Sequence, residues 1–312
     1  MGEGGYKQIN KTLNVCAFDD YLSSQQACLP VLADVEQLTP RVLRVLGQNA
    51  GKFTLQGTNT YIVGTGREQL IIDTSQGYRE WADLIQGTLK AEGVTFSHVI
   101  LTHWHGDHTG GVPDLLRMYP HLDDSIYKND PGAAQQPIED GQVFRVEGAT
   151  LHAVHTPGHS HDHMSFVLEE EQAIFTGDNV LGHGTSAVED LGLYMKTLRK
   201  LETYHCDIGY PAHGAVIKHL PSKLAWVLAQ KYRRERQCLL ALKKVRKQGH
   251  GVKGSATVKE LCTLIYGNDI EQEVREMALE PFIEEVLRKL TEDDKVAFQL
   301  RNGQRKWFSV SE

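Results

Sequence analysis

The sequence predicts an α/β protein, an αββα sandwich followed by a C-terminal winged-helix-like module. Two rounds of short apolar strands, each with a helix, predict the sandwich, because two sheets can bury one face against each other and cover the other with helices. Clustered metal-capable side chains follow several of these strands. Near residue 221 the pattern changes to long helices and a final hairpin, which predicts the added module.

The chain of 312 residues is long enough for one large domain and one small one. Residues 1–38 are predicted to be an N-terminal extension, and their scattered apolar side chains indicate packing on the body. Residues 39–220 form the predicted sandwich domain. Residues 221–312 form the predicted helical, winged-helix-like module.

The elements of the sandwich alternate in a regular order. The first round has strands near 41–46, 59–63 and 69–72, a helix over 78–92 and a strand at 99–101. The second round has strands near 149–154, 164–168 and 172–176, a helix near 190–202 and a strand at 207–210. The module follows with helices over 222–248, 257–266 and 272–290, and with a hairpin over 295–310 that turns at Asn302-Gly303.

Composition narrows the class of protein. The formal net charge is −7, and hydrophobic residues make up 40% of the chain, both ordinary values for a globular enzyme. The five cysteines form no C-x-x-C pair, which predicts reduced thiols and a cytoplasmic location. No apolar run reaches the length of a membrane span, so no membrane partner is expected. The chain has no G-x-S-x-G or P-loop motif, which disfavours a serine hydrolase and a P-loop enzyme.

The most informative motif is a compact loop directly after the apolar run 98–101. Four metal-capable side chains fall within six residues there, in an H-x-H-x-D-H pattern: His103, His105, Asp107 and His108. A divalent metal needs several nitrogen or oxygen donors that converge on one point, and a tight loop at a strand end provides them.

Three further candidates lie downstream, each in a turn of small residues after a predicted strand. They are His159 in Pro-Gly-His, Asp178 in Gly-Asp and His213 in His-Gly. Each of these turns alone is more typical of a structural turn. Their occurrence in this order after the first motif favours one shared metal site.

In this order of motifs the chain resembles the metallo-β-lactamase superfamily of hydrolases. The resemblance implies two Zn²⁺ ions per chain, one of them bound by His103, His105 and His159. It implies that Asp107, His108 and His213 bind the other ion and that Asp178 bridges the two. Asp73, in the upstream Ile-Ile-Asp-Thr segment, would orient a metal-binding histidine instead of binding metal.

Asp107 has a second predicted role as the catalytic residue. A carboxylate at the metal can orient the attacking hydroxide and carry a proton to the leaving group. Asp162 is a weaker candidate than Asp73 for orienting a ligand. His163 is expected to be structural or to support a ligand, and His183 is placed either in the substrate pocket or in a surface loop.

Segments outside the metal motifs resemble two smaller groups of the superfamily. Residues 54–61 and 156–164 and the C-terminal module are similar both to the β-lactamase-like endoribonuclease of animal mitochondria and to fungal lactamase-type thioesterases of non-reducing polyketide pathways. The N-terminal residues 18–22 and the Trp-His-Gly-Asp-His form of the metal loop favour the thioesterases.

The thioesterase resemblance implies hydrolysis of an aromatic polyketide thioester, of the atrochrysone carboxyl type, carried by an acyl carrier protein domain of the synthase. A single-strand-specific endoribonuclease and a hydroxyacylglutathione hydrolase are the alternatives. The basic segment 231–247 does not decide between them, because it can dock an acidic carrier protein, dock RNA as the less favoured partner, or be a solvated helix face.

Overall fold

The computed structural model describes residues 29–248, 254–268 and 272–310. Residues 1–28, which make up most of the predicted N-terminal extension and include the segment 18–22, lie outside the described residues.

The first half of the sandwich is a seven-stranded sheet whose strands follow one another in chain order, from β1 to β7. Strands β1 to β4 are antiparallel neighbours, whereas β4 to β7 pair in parallel. The strands are β1 Val35–Thr39, β2 Val42–Leu46, β3 Asn59–Val63, β4 Glu68–Ile72, β5 Thr95–Leu101, β6 Ile126–Lys128 and β7 Gln136–Pro137.

The second half is a five-stranded sheet in the order β12-β11-β10-β9-β8. Only its β11–β12 pair is parallel. Its strands are β8 Val143–Val146, β9 Ala149–His155, β10 Met164–Leu168, β11 Ala173–Gly177 and β12 Ile208–Pro211.

Helices cover the outer faces of the two sheets. They are α1 Arg79–Glu92, α2 Gly106–Thr109, α3 Val112–Met118, α4 Leu191–Glu202, α5 Leu220–Lys247, α6 Val258–Tyr266 and α7 Glu280–Glu292. Trp81 and Ile85 of α1 pack on the first sheet, and α4 and α5 pack on the second.

A separate apolar cluster fills the space between the sheets, where Tyr61 of β3 meets Phe175 of β11 with ring centroids 5.1 Å apart. The layers therefore run helix, sheet, sheet, helix, and the predicted αββα sandwich is confirmed.

The C-terminal part shares its core with the second half of the sandwich. One apolar cluster runs from Ile174 of β11 through α4 and α5 to Trp307. The final hairpin pairs β13 Val296–Arg301 with β14 Gln304–Ser309. Its two-residue turn has positive φ angles at Asn302 and Gly303, the conformation that this dipeptide favours.

The predicted helix over 272–290 is interrupted. One helical turn at Gln272–Val274 leads into a π-helical turn at Arg275–Leu279, and only then does α7 begin. Pro281 has no N–H to donate, so a regular hydrogen-bond ladder cannot continue through this point.

Among the described helices, none combines the length and the apolar composition of a membrane span.

Candidate metal centre

The two halves of the sandwich bring the seven predicted ligands to one edge. His103 and His105 follow β5, and Asp107 and His108 lie in the short helix α2. The other three follow strands of the second sheet: His159 follows β9, Asp178 follows β11 and His213 follows β12. All seven side chains are buried, with exposed fractions of at most 8%.

Three imidazole nitrogens of the first cluster converge. His105 Nδ1 lies 2.8 Å from His103 Nε2 and 3.1 Å from His159 Nε2. Asp178 Oδ2 lies 3.4 Å from the same His159 nitrogen. Together these four residues offer atoms that all lie within 4.8 Å of one another.

The second cluster combines carboxylates with imidazoles. Asp107 Oδ2 lies 3.4 Å from His108 Nε2 and 3.3 Å from His213 Nε2. Asp178 Oδ1 lies 3.2 Å from His213 Nε2 and 3.6 Å from His108 Nε2. Asp178 thus turns one carboxylate oxygen toward each cluster, which is the placement that a bridging ligand needs.

The donor atoms fit zinc in kind and in spacing. Zinc in proteins takes imidazole nitrogens and carboxylate oxygens, and ligands about 2.0–2.1 Å from a tetrahedral ion lie about 3.3 Å from one another. The separations within the two clusters bracket this value. In addition, His108 Nε2 and Asp178 Oδ1 are buried without a hydrogen-bond partner among the described residues. Buried polar atoms of this kind normally have a partner, so these two favour a bound cation.

The electrostatics of the two clusters differ. Burial lowers the pKa of His105 to about 3 and keeps the pKa of His103 well below its ordinary value, so both rings are neutral with lone pairs available. Burial also lowers the pKa of His213, but Asp178 and Asp107 raise it to about 9 overall. The carboxylates of the second cluster therefore favour positive charge at this place, which a bound cation can supply instead of a ring proton.

Hydrogen bonds behind the clusters fix the orientation of the rings. Asp73, in the turn after β4, has Oδ2 at 2.8 Å from His108 Nδ1 and accepts a hydrogen bond from the Thr102 N–H at 2.8 Å. The other nitrogen of His108 is thereby turned to the second cluster. His159 Nδ1 lies 2.8 Å from the Ala187 carbonyl oxygen, which turns its Nε2 to the first cluster. Such outer partners normally set the tautomer of a metal-binding histidine.

His163 and Asp162 support the site from behind. The N–H of Asp178 donates to His163 Nε2 at 3.0 Å, so His163 holds the turn that carries the Asp178 carboxylate. Asp162 pairs with Lys128 at 2.6 Å and accepts a hydrogen bond from the Ser160 hydroxyl. One partner lies in β6 and the other lies in the turn next to His159, and neither is the ring of a predicted ligand.

Two glycines allow the turns to approach closely. Gly158 has φ of +131°, and a Cβ there would lie 2.4 Å from Tyr194 Cα. Gly177 has φ of +52°, and a Cβ there would lie 2.4 Å from His163 Nε2. Both conformations are costly for other residues, which explains the small residue before each ligand.

A cavity of about 660 Å³ opens from the two clusters. His183, which the sequence placed either in the pocket or in a surface loop, lines this cavity together with His159, Asp178 and His213. Helix α5 forms another part of the wall. Its cavity-lining residues are Lys223, Trp226, Gln230, Lys231 and Arg234.

The local sequence pattern does not identify this wall. The sequence places Lys231 in the basic segment 231–247, but in the structure its side chain is buried, with an exposed fraction of 9%. A signal was available, because Lys231 takes the place of an apolar residue in the series of buried positions Leu224, Leu228 and Cys238.

Comparisons with known proteins agree with this fold and these motifs. The sequence profile of the metallo-beta-lactamase superfamily matches residues 53–213. The chain is 70% identical over 312 residues to an atrochrysone carboxyl ACP thioesterase of Aspergillus aculeatus, with 100% of both chains covered. It is 68% identical over 311 residues to an atrochrysone carboxyl ACP thioesterase of Paecilomyces divaricatus, with 100% of this chain and 99% of the other covered.

Among solved structures, a beta-lactamase domain protein from Burkholderia ambifaria superimposes with a TM-score of 0.72 at 16% identity, covering 90% of this chain and 95% of that chain. At this identity the likeness concerns the fold. The profile match and the full-length relatives establish that this chain belongs to the metallo-beta-lactamase superfamily.

Proposed function

We propose that this protein is a dinuclear zinc thioesterase that releases an aromatic polyketide acid, of the atrochrysone carboxyl type, from an acyl carrier protein. The single observation that carries the proposal is the convergence of seven buried donors with Asp178 between the two clusters. The names of the two full-length relatives support the choice of substrate.

In this proposal His103, His105 and His159 hold one zinc ion, Asp107, His108 and His213 hold the other, and Asp178 bridges them. Zinc supplies Lewis-acid chemistry, which polarises a carbonyl oxygen and makes water a nucleophile near neutral pH.

Asp107 has a further part in the proposed reaction. Burial by itself raises its pKa, but His108 and His213 lower it below the ordinary value, so the group remains a carboxylate that can accept a proton. It takes a proton from the attacking water as the water oxygen bonds to the thioester carbon. The carbon–sulfur bond then breaks, and the proton passes to the leaving thiolate. The products are the carboxylic acid and the free thiol of the carrier arm.

The acyl carrier protein domain of a non-reducing synthase is the proposed partner, and the exposed basic residues of α5 are the proposed docking surface. They are Arg233, Arg234, Arg236, Lys243, Lys244, Arg246 and Lys247. They lie on the helix that also lines the cavity, so an acidic carrier docked there would be near the cavity. We place the reaction in the cytoplasm, where the free thiols of Cys206, Cys238 and Cys262 would stay reduced.

The test is hydrolysis of a naphthoyl thioester of N-acetylcysteamine, followed by release of polyketide acid from a synthase that lacks a releasing domain. We expect turnover by the natural chain and at least a ~10³-fold loss of kcat/KM in His103→Ala and Asp107→Ala. His219→Ala, at an exposed histidine outside the clusters, is the matched control and should keep full activity. Absence of turnover on both substrates by the zinc-loaded protein would reject the proposal.

An endoribonuclease remains the second candidate, because the exposed basic residues of α5 are also compatible with RNA phosphates. RNA cleavage at nanomolar enzyme with a steep dependence on salt would support it, because phosphate contacts release counterions.

A further inference from the structure

The cavity beside the clusters has an uneven distribution of charge. Its charged lining residues are four basic side chains, Lys52, Lys223, Lys231 and Arg234, and one acidic side chain, Asp178, which belongs to the clusters. Its apolar lining includes Phe53, Leu55, Leu181 and Trp226. A volume of about 660 Å³ falls within the range of pockets for small organic molecules. The cavity therefore suits an apolar group that carries negative charge.

Lys231 differs from the other buried basic residues of the described chain, which are Arg44, Lys128 and Lys289. Arg44 pairs with Glu36, and Lys128 pairs with Asp162 at 2.6 Å. Lys289 pairs with Glu235 at 2.5 Å and with Asp293 at 2.8 Å. Lys231 forms no ion pair or hydrogen bond with any residue in the ranges 29–248, 254–268 and 272–310.

The surroundings of Lys231 compensate little for its burial. Its Nζ lies 5.2 Å from the centre of the Tyr194 ring, a weak cation–π contact. Glu285 of α7 attracts it but does not come within the 4.0 Å of an ion pair, and Arg234 of the same helix repels it. A buried ammonium without a partner is costly, and such groups are normally paired. A partner from outside the chain would remove this cost.

We propose that Lys231 binds an anionic oxygen of the substrate inside the cavity and so selects for substrates that carry one. This inference rests on the proposed thioesterase function. The oxygen belongs either to the acyl group, as a carboxylate, phenolate or enolate, or to the phosphate of the carrier's phosphopantetheine arm. The two sources present the same chemistry to an ammonium, and the experiment separates them.

The experiment compares the natural chain with Lys231→Met on three thioesters. The first is the N-acetylcysteamine thioester of naphthalene-2,6-dicarboxylic acid, which has a free distal carboxylate. The second is its methyl ester, which is neutral. The third carries the same methyl-ester acyl group on phosphopantetheine. Methionine keeps most of the length and the apolar character of the lysine stem, and it removes the ammonium group.

We expect Lys231→Met to lower kcat/KM at least tenfold, mainly through KM, on a substrate that presents the anionic oxygen, and to change the neutral thioester less than twofold. Selective loss on the first thioester assigns the oxygen to the acyl group. Selective loss on the third assigns it to the phosphate. Equal effects on all three thioesters, or no effect on any, would overturn the inference.

Two controls complete the design. Lys90→Met removes an exposed charge of α1, outside both the cavity and the basic surface of α5, and it should leave kcat/KM unchanged on all three thioesters. The thermal midpoint of Lys231→Met should stay equal to that of the natural chain or rise, whereas removal of a purely structural lysine would lower it. Lys231→Gln repeats the comparison with a polar side chain.

If the natural chain hydrolyses none of the thioesters, the thioesterase proposal fails. If it hydrolyses them and Lys231→Met has the same kcat/KM on each, only the role of Lys231 fails.

Discussion

Lys128 and Lys231 are both buried lysines, but they lie in different surroundings. Lys128, at the end of β6, has Asp162 at 2.6 Å, and Asp162 in turn accepts a hydrogen bond from Ser160. Lys231, on α5, lies at the wall of the cavity without an ion-pair partner in the described part of the chain. The ammonium of Lys128 therefore has its ion-pair partner within the fold, whereas the ammonium of Lys231 has none among the described residues.

The two candidate metal clusters resemble Lys231, because they too contain buried polar atoms without a partner among the described residues. His108 Nε2 and Asp178 Oδ1 are buried beside the same cavity and lack hydrogen-bond partners among the described residues. Buried polar groups that are paired contribute to the structure, whereas unpaired ones next to a cavity indicate where a ligand of opposite charge binds. This contrast leads to five predictions, in order of decreasing effect.

The largest effect is expected for Asp178→Ala, which removes an oxygen from each cluster. We expect kcat/KM to fall about 10³-fold or more, since the loss of an outer partner already costs about 10–100-fold, and we expect fewer than two zinc ions per chain. Hydrolysis assays and elemental analysis of the purified variant measure the two effects. Asp83→Ala, at an exposed carboxylate of α1, is the control. Two bound zinc ions with full activity in Asp178→Ala would remove the bridging role.

Lys128→Met should act on stability. It leaves the Asp162 carboxylate buried and unpaired, so we expect the free energy of unfolding to fall by about 3–5 kcal/mol. Urea denaturation measures this change. The double variant Lys128→Met/Asp162→Asn should recover part of the loss, because no charge is left unpaired. A Lys128→Met chain as stable as the natural one would show that the two buried lysines do not differ in the way described.

Asp73→Asn should weaken zinc binding at the second cluster. The amide cannot accept from Thr102 and orient His108 as the carboxylate does, so we expect affinity for zinc to fall by about 10–100-fold. Titration of the metal-free protein with buffered zinc measures the zinc affinity of each site separately. Equal weakening of both sites would instead indicate a general disturbance of the loop.

The two smallest effects concern pH. Burial, followed by repulsion from Arg234, lowers the pKa of Lys231 to about 8, while Glu285 of α7 and Tyr194 of α4 are the other ionisable groups that face it. Affinity for an anionic ligand should therefore be full below about pH 7, fall to about half at pH 8 and be about tenfold lower by pH 9, because the ammonium loses its proton. Calorimetric titration with naphthalene-2,6-dicarboxylate at several pH values measures this, with Lys231→Met as the reference.

Lys231 also makes the free energy of unfolding depend on pH, and the direction of this dependence can be measured. Because the pKa is lower in the folded chain than in the unfolded one, the unfolded chain binds more protons between about pH 8 and the ordinary lysine pKa near 10.4. The stability contributed at this position therefore rises with pH across that window. The unfolding midpoint of Lys231→Met should lack this rise.

Much of the sandwich could be predicted because its signals are local. The strands around Ile62, Ile71 and Ile174 are short apolar runs between turn residues, and Asn302-Gly303 favours one hairpin turn by its own backbone preferences. The strands that were not predicted, β1, β6, β7 and β8, are short or partly exposed. Their side chains show no clear alternation, and only pairing with neighbouring strands makes them part of a sheet.

The sequence by itself determined which donors are available, because the metal loop and the three later turns each place an imidazole or carboxylate directly after a strand. The tertiary structure decided that these donors face one another, that each oxygen of Asp178 points to a different cluster, and that α5 packs with Lys231 at the cavity. The physical reason is distance along the chain. Contacts between residues such as His103 and His213 depend on how two sheets and a long helix pack, and no local preference specifies that packing.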